Sequence, residues 1–152
     1  MTGPQIDYGS VFRQLPVPIL LLTPDFVIAD MNLEYLRVSG RTRKELLGRH
    51  VFTAFPDNPS DPGATGVSDL HASLSRVLEA GEPDALSMLR YDVEVPGSPG
   101  VFAQRYWCPV SAPVFGPDGS VVLIAECVEE ITERVSRFVE GLAGTDVPAE
   151  HA

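Results

Sequence analysis

Residues 114–135 read VFGPDGSVVLIAECVEEITERV, and this stretch decides how the chain is expected to fold. The turn residues GPDG at 116–119 separate two runs of strand-forming residues, a pattern typical of an antiparallel hairpin. After the second run, apolar residues recur every three or four positions at Ile131, Val135, Phe138 and Leu142. This spacing indicates a helix with a coiled-coil-like stripe. The segment therefore predicts a strand over 101–115, a strand over 120–128 and a final helix over 131–143.

Upstream of this hairpin, the chain predicts a second hairpin followed by helices. Short apolar runs at 19–22 and 26–29 flank turn residues and indicate two antiparallel strands. Asn32 and Thr42 are typical N-caps of two short helices, and an apolar stripe ended by Gly81 predicts the longest helix. A strand over 85–95 completes the set. We therefore expect an α+β fold: a five-stranded antiparallel sheet, completed by pairing of the first and last strands, with helices on one face.

The remaining segments give the expected domain limits. Residues 1–7 are predicted to be flexible, and apolar spacing over 8–15 predicts a short cap helix. The domain itself is expected to span 8–130, and the final helix 131–143. The last residues, 144–152, are polar or small and are predicted to be disordered.

Composition excludes several classes of function. The 152 residues include 21 acidic and 11 basic side chains, a formal net charge of −10. Nucleic acids and anionic membranes bind clustered Lys and Arg, so we expect neither as a partner. No apolar run is long enough to span a bilayer, no signal peptide is visible, and two cysteines make no disulfide framework. These features predict a cytoplasmic protein with reduced thiols.

Several short motifs occur in a characteristic order. They are IADMN at 28–32, ELLGR at 45–49, PVFGPDG at 113–119 and EITE at 130–133. With these motifs at the junctions between its elements, the chain resembles a PAS domain from about residue 8 to residue 135. The loop FPDNPSDP at 55–62, the pair YD at 91–92 and the run RYWCPV at 105–110 narrow the resemblance further. They are similar to the amino-terminal sensory PAS modules of bacterial histidine kinases and related signalling proteins.

The resemblance implies a sensory and signal-transduction role. A PAS domain of this kind would bind a small molecule or partner and pass a conformational change through Glu130, Ile131 and Thr132 into the final helix. A histidine kinase or similar protein would be the output. The chain departs from the family pattern at Ser111-Ala112, and at Glu126-Cys127, where relatives often have His-Arg. Ligand preferences that depend on those groups are therefore not transferred.

The resemblance also places the longest helix against the sheet as one wall of a ligand cavity. His71 is the titratable residue on that helix's apolar stripe, and strand alternation directs Tyr91 and Tyr106 toward it while Trp107 faces outward. A buried imidazole without a partner would cost about 1–3 kcal/mol, so we expect it to meet a polar group or a ligand. The absence of a basic cluster favours a neutral ligand, such as an aromatic one. The expected lining is drawn from Phe52, Phe55, His71, Leu74, Leu89, Tyr91, Tyr106 and Cys127.

No cofactor is assigned from the sequence. Haem-binding relatives use a histidine on the long helix, but Leu70 rather than His71 stands at that position, counted back from Gly81. Light-sensing flavin relatives need a cysteine in an Asn-Cys-Arg-Phe-Leu-Gln setting, which this chain lacks. Cys108 and Cys127 are interpreted as buried thiols on neighbouring strands, with a redox disulfide as the alternative. The His and Cys residues show no metal-ligand spacing.

The chain is predicted not to be an enzyme. It contains no Gly-rich phosphate loop and no nucleophile elbow, and it is too short for the domains of a kinase. One alternative is a small α+β cone enzyme of the ketosteroid isomerase or dehydratase type, with Asp92 or His71 as the base. A second is a dimerisation module without a ligand. The order of elements disfavours the enzyme, because those folds usually open with long helices.

Two apolar helical stripes at the ends of the domain predict a homodimer. One domain cannot easily bury both stripes, and exposed apolar stripes favour association. PAS relatives commonly dimerise through these elements. The expected contacts are Tyr8, Val11, Phe12, Leu15, Val135, Phe138 and Leu142.

Overall fold

The computed structural model describes residues 3–144 and shows an antiparallel sheet with helices packed on one face. The strands are β1 (Ile19–Leu22), β2 (Ile28–Met31), β3 (Asp84–Ala85), β4 (Leu89–Arg90), β5 (Val93–Glu94), β6 (Phe102–Ala103), β7 (Tyr106–Phe115) and β8 (Val121–Glu130). The helices are α1 (Tyr8–Gln14), α2 (Leu33–Ser39), α3 (Arg43–Leu46), α4 (Val51–Ala54), α5 (Gly66–Ala80) and α6 (Thr132–Gly144). The predictions for residues 1–2 and 145–152 lie outside the described residues.

The main sheet has the order β2-β1-β8-β7-β3, and β4 also pairs with β7. Every pairing is antiparallel, and the first strand pairs with the last along its whole length, as expected. The α+β class is therefore confirmed. Within the described part of the chain, no helix is long and apolar enough to cross a membrane.

The main sheet has six strands rather than five because the predicted strand over 85–95 is broken. Ala85 lies opposite Val110 and Leu89 lies opposite Trp107, so four steps along one strand match three along the other. The extra residue interrupts the ladder, as a β-bulge does. After a second interruption, β5 pairs with β6 in a separate two-stranded sheet. The strands predicted over 85–95 and 101–115 are thus antiparallel, as expected, but they pair in separate short segments.

The core forms where α5 lies on the inner face of the sheet. Leu70, Leu74 and Val77 share one side of α5 and are buried, as the apolar stripe predicted. Gly66 begins the helix where a Cβ atom would lie 3.0 Å from the carbonyl oxygen of Arg90, so its lack of a side chain permits this close approach. The predicted C-terminal stop at Gly81 is confirmed by a left-handed backbone and a hydrogen bond to Val77.

Asn32 joins the first strand to the helical layer. Its side-chain oxygen accepts hydrogen bonds of 3.0 Å from the backbone N–H groups of Ile19 and Tyr35, and its Nδ2 donates to the Val17 carbonyl at 2.7 Å. The predicted N-cap of α2 is therefore confirmed. Because the residue is fully buried, these bonds also fix the start of β1 against α2.

The predicted inner face of the two long strands is wrong. Tyr106 and Cys127 were expected to face the helices, and Trp107 was expected to face outward. The side chains that face the helices are instead Trp107, Pro109, Ser111, Ile124, Glu126 and Val128. Register explains the difference: Leu89 lies opposite Trp107, and Leu20 lies opposite Glu126, so the buried strands beside them fix which face turns inward.

Candidate functional site

A cavity lies between the helical layer and the inner face of the sheet. The cavity has a volume of about 50 Å³, so it can hold small groups only. Its walls are mainly apolar. The lining residues are Tyr35, Val38, Ser39, Val51, Phe55, Leu70, Leu89, Tyr91, Val93, Trp107, Pro109, Glu126 and Val128.

Only part of the expected pocket meets at this cavity. Phe55, Leu89 and Tyr91 line it, whereas Leu74 is fully buried in the core beside it. The remaining predicted lining residues lie elsewhere. They are Phe52, His71, Tyr106 and Cys127.

His71 lies at the exposed edge of α5 rather than in the cavity. Its ring packs edge-on against Phe26, with 5.4 Å between ring centroids, and lies 5.9 Å from the ring of Phe52. The Nδ1 atom is 3.5 Å from the Ser75 hydroxyl oxygen. Because one residue turns a helix by 100°, Leu70 points into the cavity and His71 points past its edge.

An acidic side chain, Glu126, lines the cavity rather than His71. It lies in the middle of β8, opposite Ser111 of β7 and Leu20 of β1, and only 4% of it is exposed. Its Oε2 atom and the Ser111 hydroxyl have no hydrogen-bond partner among residues 3–144. Burial raises the pKa of Glu126 to about 7. The carboxyl group can therefore gain or lose a proton near neutral pH.

Two tyrosines, the tryptophan and Ser39 complete the polar part of the lining. The Tyr91 hydroxyl donates to the Phe55 carbonyl, and the indole N–H of Trp107 donates to the Tyr91 carbonyl at 2.9 Å. Burial raises the pKa of Tyr35 and of Tyr91, so both phenols stay neutral. These bonds hold β4, β7 and the loop after α4 around the cavity.

Asp92 lies beside the cavity wall and anchors that loop. It accepts hydrogen bonds from the Arg90 guanidinium at 3.2 Å and from Asn58 Nδ2 at 3.0 Å. Burial alone would raise the pKa of Asp92, but these hydrogen bonds and the charge of Arg90 lower it overall. A general base works best with a pKa near the working pH and within reach of its substrate. The two bases named for the enzyme alternative, Asp92 and His71, do not meet in this cavity.

The predicted relay residues tie β7 to the start of α6. Glu130 forms an ion pair with Arg105 at 2.7 Å. The Tyr106 N–H donates to the Thr132 hydroxyl oxygen at 2.9 Å, and the Ile131 N–H donates to the Tyr106 carbonyl at 2.8 Å. The next residue after Tyr106 is Trp107, which lines the cavity. Only one residue, Ile131, separates β8 from α6.

The predicted dimer contacts are mostly exposed. None of the residues of α1 is buried, and Tyr8, Val11 and Leu15 are exposed while Phe12 is half-buried. On α6, Phe138 is 67% exposed. Val135 is half-buried and Leu142 is exposed.

The outer face of the sheet is also apolar. Its long strands present Cys108, Val110, Val114, Leu123, Ala125 and Cys127, of which Val110 is 44% exposed. Cys108 and Cys127 are free thiols. No group of three or more potential metal ligands occurs within residues 3–144.

Comparisons with known proteins agree with this architecture. A family model described as "PAS fold" matches residues 12–136. No curated protein matches the chain. Among solved structures, the chain is similar to the PAS domain of a protein from Colwellia psychrerythraea, with a TM-score of 0.66 and 14% identity over 84% of this chain and 96% of that chain.

Two further structures share the fold. A sensory box sensor histidine kinase from Vibrio cholerae matches with a TM-score of 0.52 and 17% identity, over 82% of this chain and 89% of that chain. An RNA-binding light-oxygen-voltage receptor matches with a TM-score of 0.64 and 20% identity, over 95% of this chain and 41% of that chain. At these identities the likeness concerns the fold, and it assigns no flavin to this chain.

Proposed function

Because the chain belongs to the PAS family, we propose that it is a sensory domain that binds a small molecule in the cavity and relays the binding event to α6. PAS domains are sensory and generally non-enzymatic. The observation that carries the proposal is the position of Trp107: it lines the cavity and directly follows Tyr106, which is hydrogen-bonded to the start of α6.

The relay would act through backbone contacts at the β7–α6 junction. A ligand that moves the Trp107 indole would also move the adjoining backbone of Tyr106. That backbone donates to the Thr132 hydroxyl and accepts from the Ile131 N–H, so its displacement changes the first turn of α6. The Arg105–Glu130 ion pair links the residue before β7 to the last residue of β8. A ligand shifts such an equilibrium only by its differential affinity for the two arrangements.

The ligand step is tested by a thermal-shift screen on three proteins. Val128→Leu adds a methylene group inside the cavity, whereas Val110→Leu makes the same change on the exposed outer face. We expect compounds that stabilise the wild type to stabilise Val110→Leu equally and to lose their effect on Val128→Leu. If no compound stabilises the wild type, or if the two variants respond alike, the cavity is not the ligand site.

The protein is further proposed to act as a homodimer. The stripe on α6 has the spacing of helices that pair with a second copy of themselves, and α1 and the outer sheet face add exposed apolar surface. Intrahelical ion pairs such as Arg137–Glu133, at 2.5 Å, lie beside the stripe. Sedimentation of the wild type should give a dimer mass, and Phe138→Asp should give a monomer. A monomeric wild type at high concentration would refute this.

The proposed output is a histidine kinase or a similar signalling protein, acting in the cytoplasm. This proposal rests on the contacts that join β7 and β8 to α6, and on the fold shared with a sensor histidine kinase from Vibrio cholerae. The test uses a kinase whose gene lies beside the gene of this protein. Its phosphorylation activity is measured with and without the purified protein. A kinase activity that never responds to the protein would contradict the assignment.

A further inference from the structure

Glu126 and Ser111 form a pair of buried polar groups whose function the fold does not explain. They face each other across β8 and β7, and each carries an oxygen without a hydrogen-bond partner among residues 3–144. Buried polar atoms in native proteins almost always have partners, so an unpaired one calls for a specific reason. The side chain of Glu126 also lines the cavity. Its carboxyl group is therefore available to something inside that space.

Within residues 3–144, the cavity holds no protein cation that could neutralise this carboxyl group. Among the described lining residues, none is Lys, Arg or His. The nearby Arg41 is engaged elsewhere: its guanidinium lies 5.4 Å from the centre of the Phe55 ring and 4.0 Å from Glu45. The Tyr91 hydroxyl already donates to a backbone carbonyl. The cavity thus offers the Glu126 carboxyl group without a neighbouring protein cation, among side chains that are mainly apolar.

We propose that Glu126 is the recognition residue for a compact cationic ligand, an aliphatic amine or amidine, whose charged group meets its carboxylate. This inference rests on the proposed function, because it names the ligand class of the same cavity. An ammonium group has three N–H donors, and bonds from a cation to a carboxylate are stronger than neutral ones. The hydrocarbon part of the ligand would lie against side chains such as Leu70, Leu89 and Val128.

The size and charge of the site limit the ligand. A cavity of about 50 Å³ suits a small ligand, and a larger one would need the cavity to open. The sequence favoured a neutral ligand because the region lacks a basic cluster. A buried acceptor without a protein cation selects a positive charge instead, and the chain's net charge of −10 would also attract cations.

Protonation makes the recognition depend on pH. The titratable groups around Glu126 are Tyr35 on α2 and Tyr91 after β4, and both stay neutral. Its neighbours on the adjoining strands, Ser111 of β7 and Leu20 of β1, carry no charge. Burial raises the pKa of Glu126 to about 7. A bound cation favours the carboxylate, so binding below neutral pH would release a proton.

The test compares two probes of equal size, isobutylamine and isobutanol, at pH 8.5. Binding is followed by NMR shifts of cavity residues in the wild type, in Glu126→Gln and in Glu79→Gln, which removes the same charge at an exposed site on α5. We expect the amine to bind at least about tenfold more tightly than the alcohol to the wild type and to Glu79→Gln. In Glu126→Gln the two probes should bind equally.

The outcomes separate this proposal from the proposed function. Equal binding of both probes to the wild type would leave the cavity as a ligand site but refute cation recognition. Amine preference that survives in Glu126→Gln would also refute it. A second test needs only the wild type: the NMR signal of the Glu126 carboxyl carbon is followed as a function of pH. Saturating isobutylamine should lower the pKa of the Glu126 carboxyl group by at least about one unit. An unchanged pKa contradicts the proposal.

Discussion

Replacing Glu126 by Gln should change how the stability of the protein depends on pH. The substitution preserves the size of the side chain and removes its ionisation. In the wild type, burial raises the pKa of Glu126 from 4.5 to about 7. At about 1.36 kcal/mol per pKa unit, this shift corresponds to a free energy of about 3 kcal/mol.

The sign follows from proton binding. Between pH 4.5 and about pH 7 the unfolded chain has already lost the Glu126 proton while the folded chain still holds it. The folded state therefore binds more protons, and the free energy of unfolding falls as pH rises through this window. Above about pH 7 both states are ionised and the loss is complete. The Gln variant lacks this decline.

Urea unfolding from pH 4.5 to 8.5 measures the effect. Fluorescence of Trp107, the only tryptophan, reports unfolding because the indole is buried. Relative to the wild type, Glu126→Gln should gain about 3 kcal/mol between the two ends of this range. Carboxyl groups with lowered pKa values, such as Asp84 and Asp92, titrate equally in both proteins and cancel. Glu79→Gln should follow the wild type. Parallel pH profiles for the wild type and Glu126→Gln would refute a buried, unpaired carboxyl.

Three further substitutions test the packing that encloses the cavity. Leu74→Ala should lower the free energy of unfolding by about 2–5 kcal/mol, because the side chain is fully buried between α5 and the sheet; a loss under about 1 kcal/mol in urea unfolding would contradict that burial. Asn32→Ala should cost about 2–3 kcal/mol by the same assay, since it leaves the Ile19 and Tyr35 N–H groups unpaired, and an unchanged midpoint would refute the link. Gly40→Ala should lower the Tm more than Gly48→Ala: both residues have positive φ, but only at Gly40 would a Cβ atom lie 2.6 Å from a Pro96 carbon, so equal losses would argue against a close approach.

The local elements were predictable because each has its own chemical signal. Asn32 caps a helix with its side-chain oxygen, Gly81 ends one with a left-handed backbone, and the turn at 116–119 joins two strands. The antiparallel topology follows from these hairpins. The break in the strand over 85–95 was not predictable, because the extra residue between Ala85 and Leu89 depends on the register with β7.

The face of a strand could not be predicted where both faces are apolar. Cys108 and Val110 alternate with Trp107 and Pro109, so period-two alternation gives no choice between them. The inward face is set by the register with the neighbouring strands, and a single sequence does not reveal that register.

The candidate site was predicted only in part for a similar reason. His71 was predicted to line the cavity because the sequence pattern placed it on the apolar stripe of α5, but a turn of 100° from Leu70 moves it out of the cavity. The missed residue was Glu126. Its signal was present in the sequence: it is the single charged residue within the apolar run 121–128. A charged residue at the centre of a strand that is apolar on both faces indicates a buried group with a specific function.

The relay from the cavity to α6 is tested most directly by hydrogen exchange with the cavity occupied. The amides of Ile131 and Val135 are the ones to follow, since the first donates to Tyr106 and the second to the carbonyl of Ile131. We predict that a bound ligand, isobutylamine in the first instance, changes their exchange rates at least about threefold in the wild type. In Thr132→Val, which lacks the hydroxyl that accepts from the Tyr106 N–H, the change should be lost. Unchanged rates in the wild type, while Trp107 fluorescence shows that the cavity is occupied, would contradict the account.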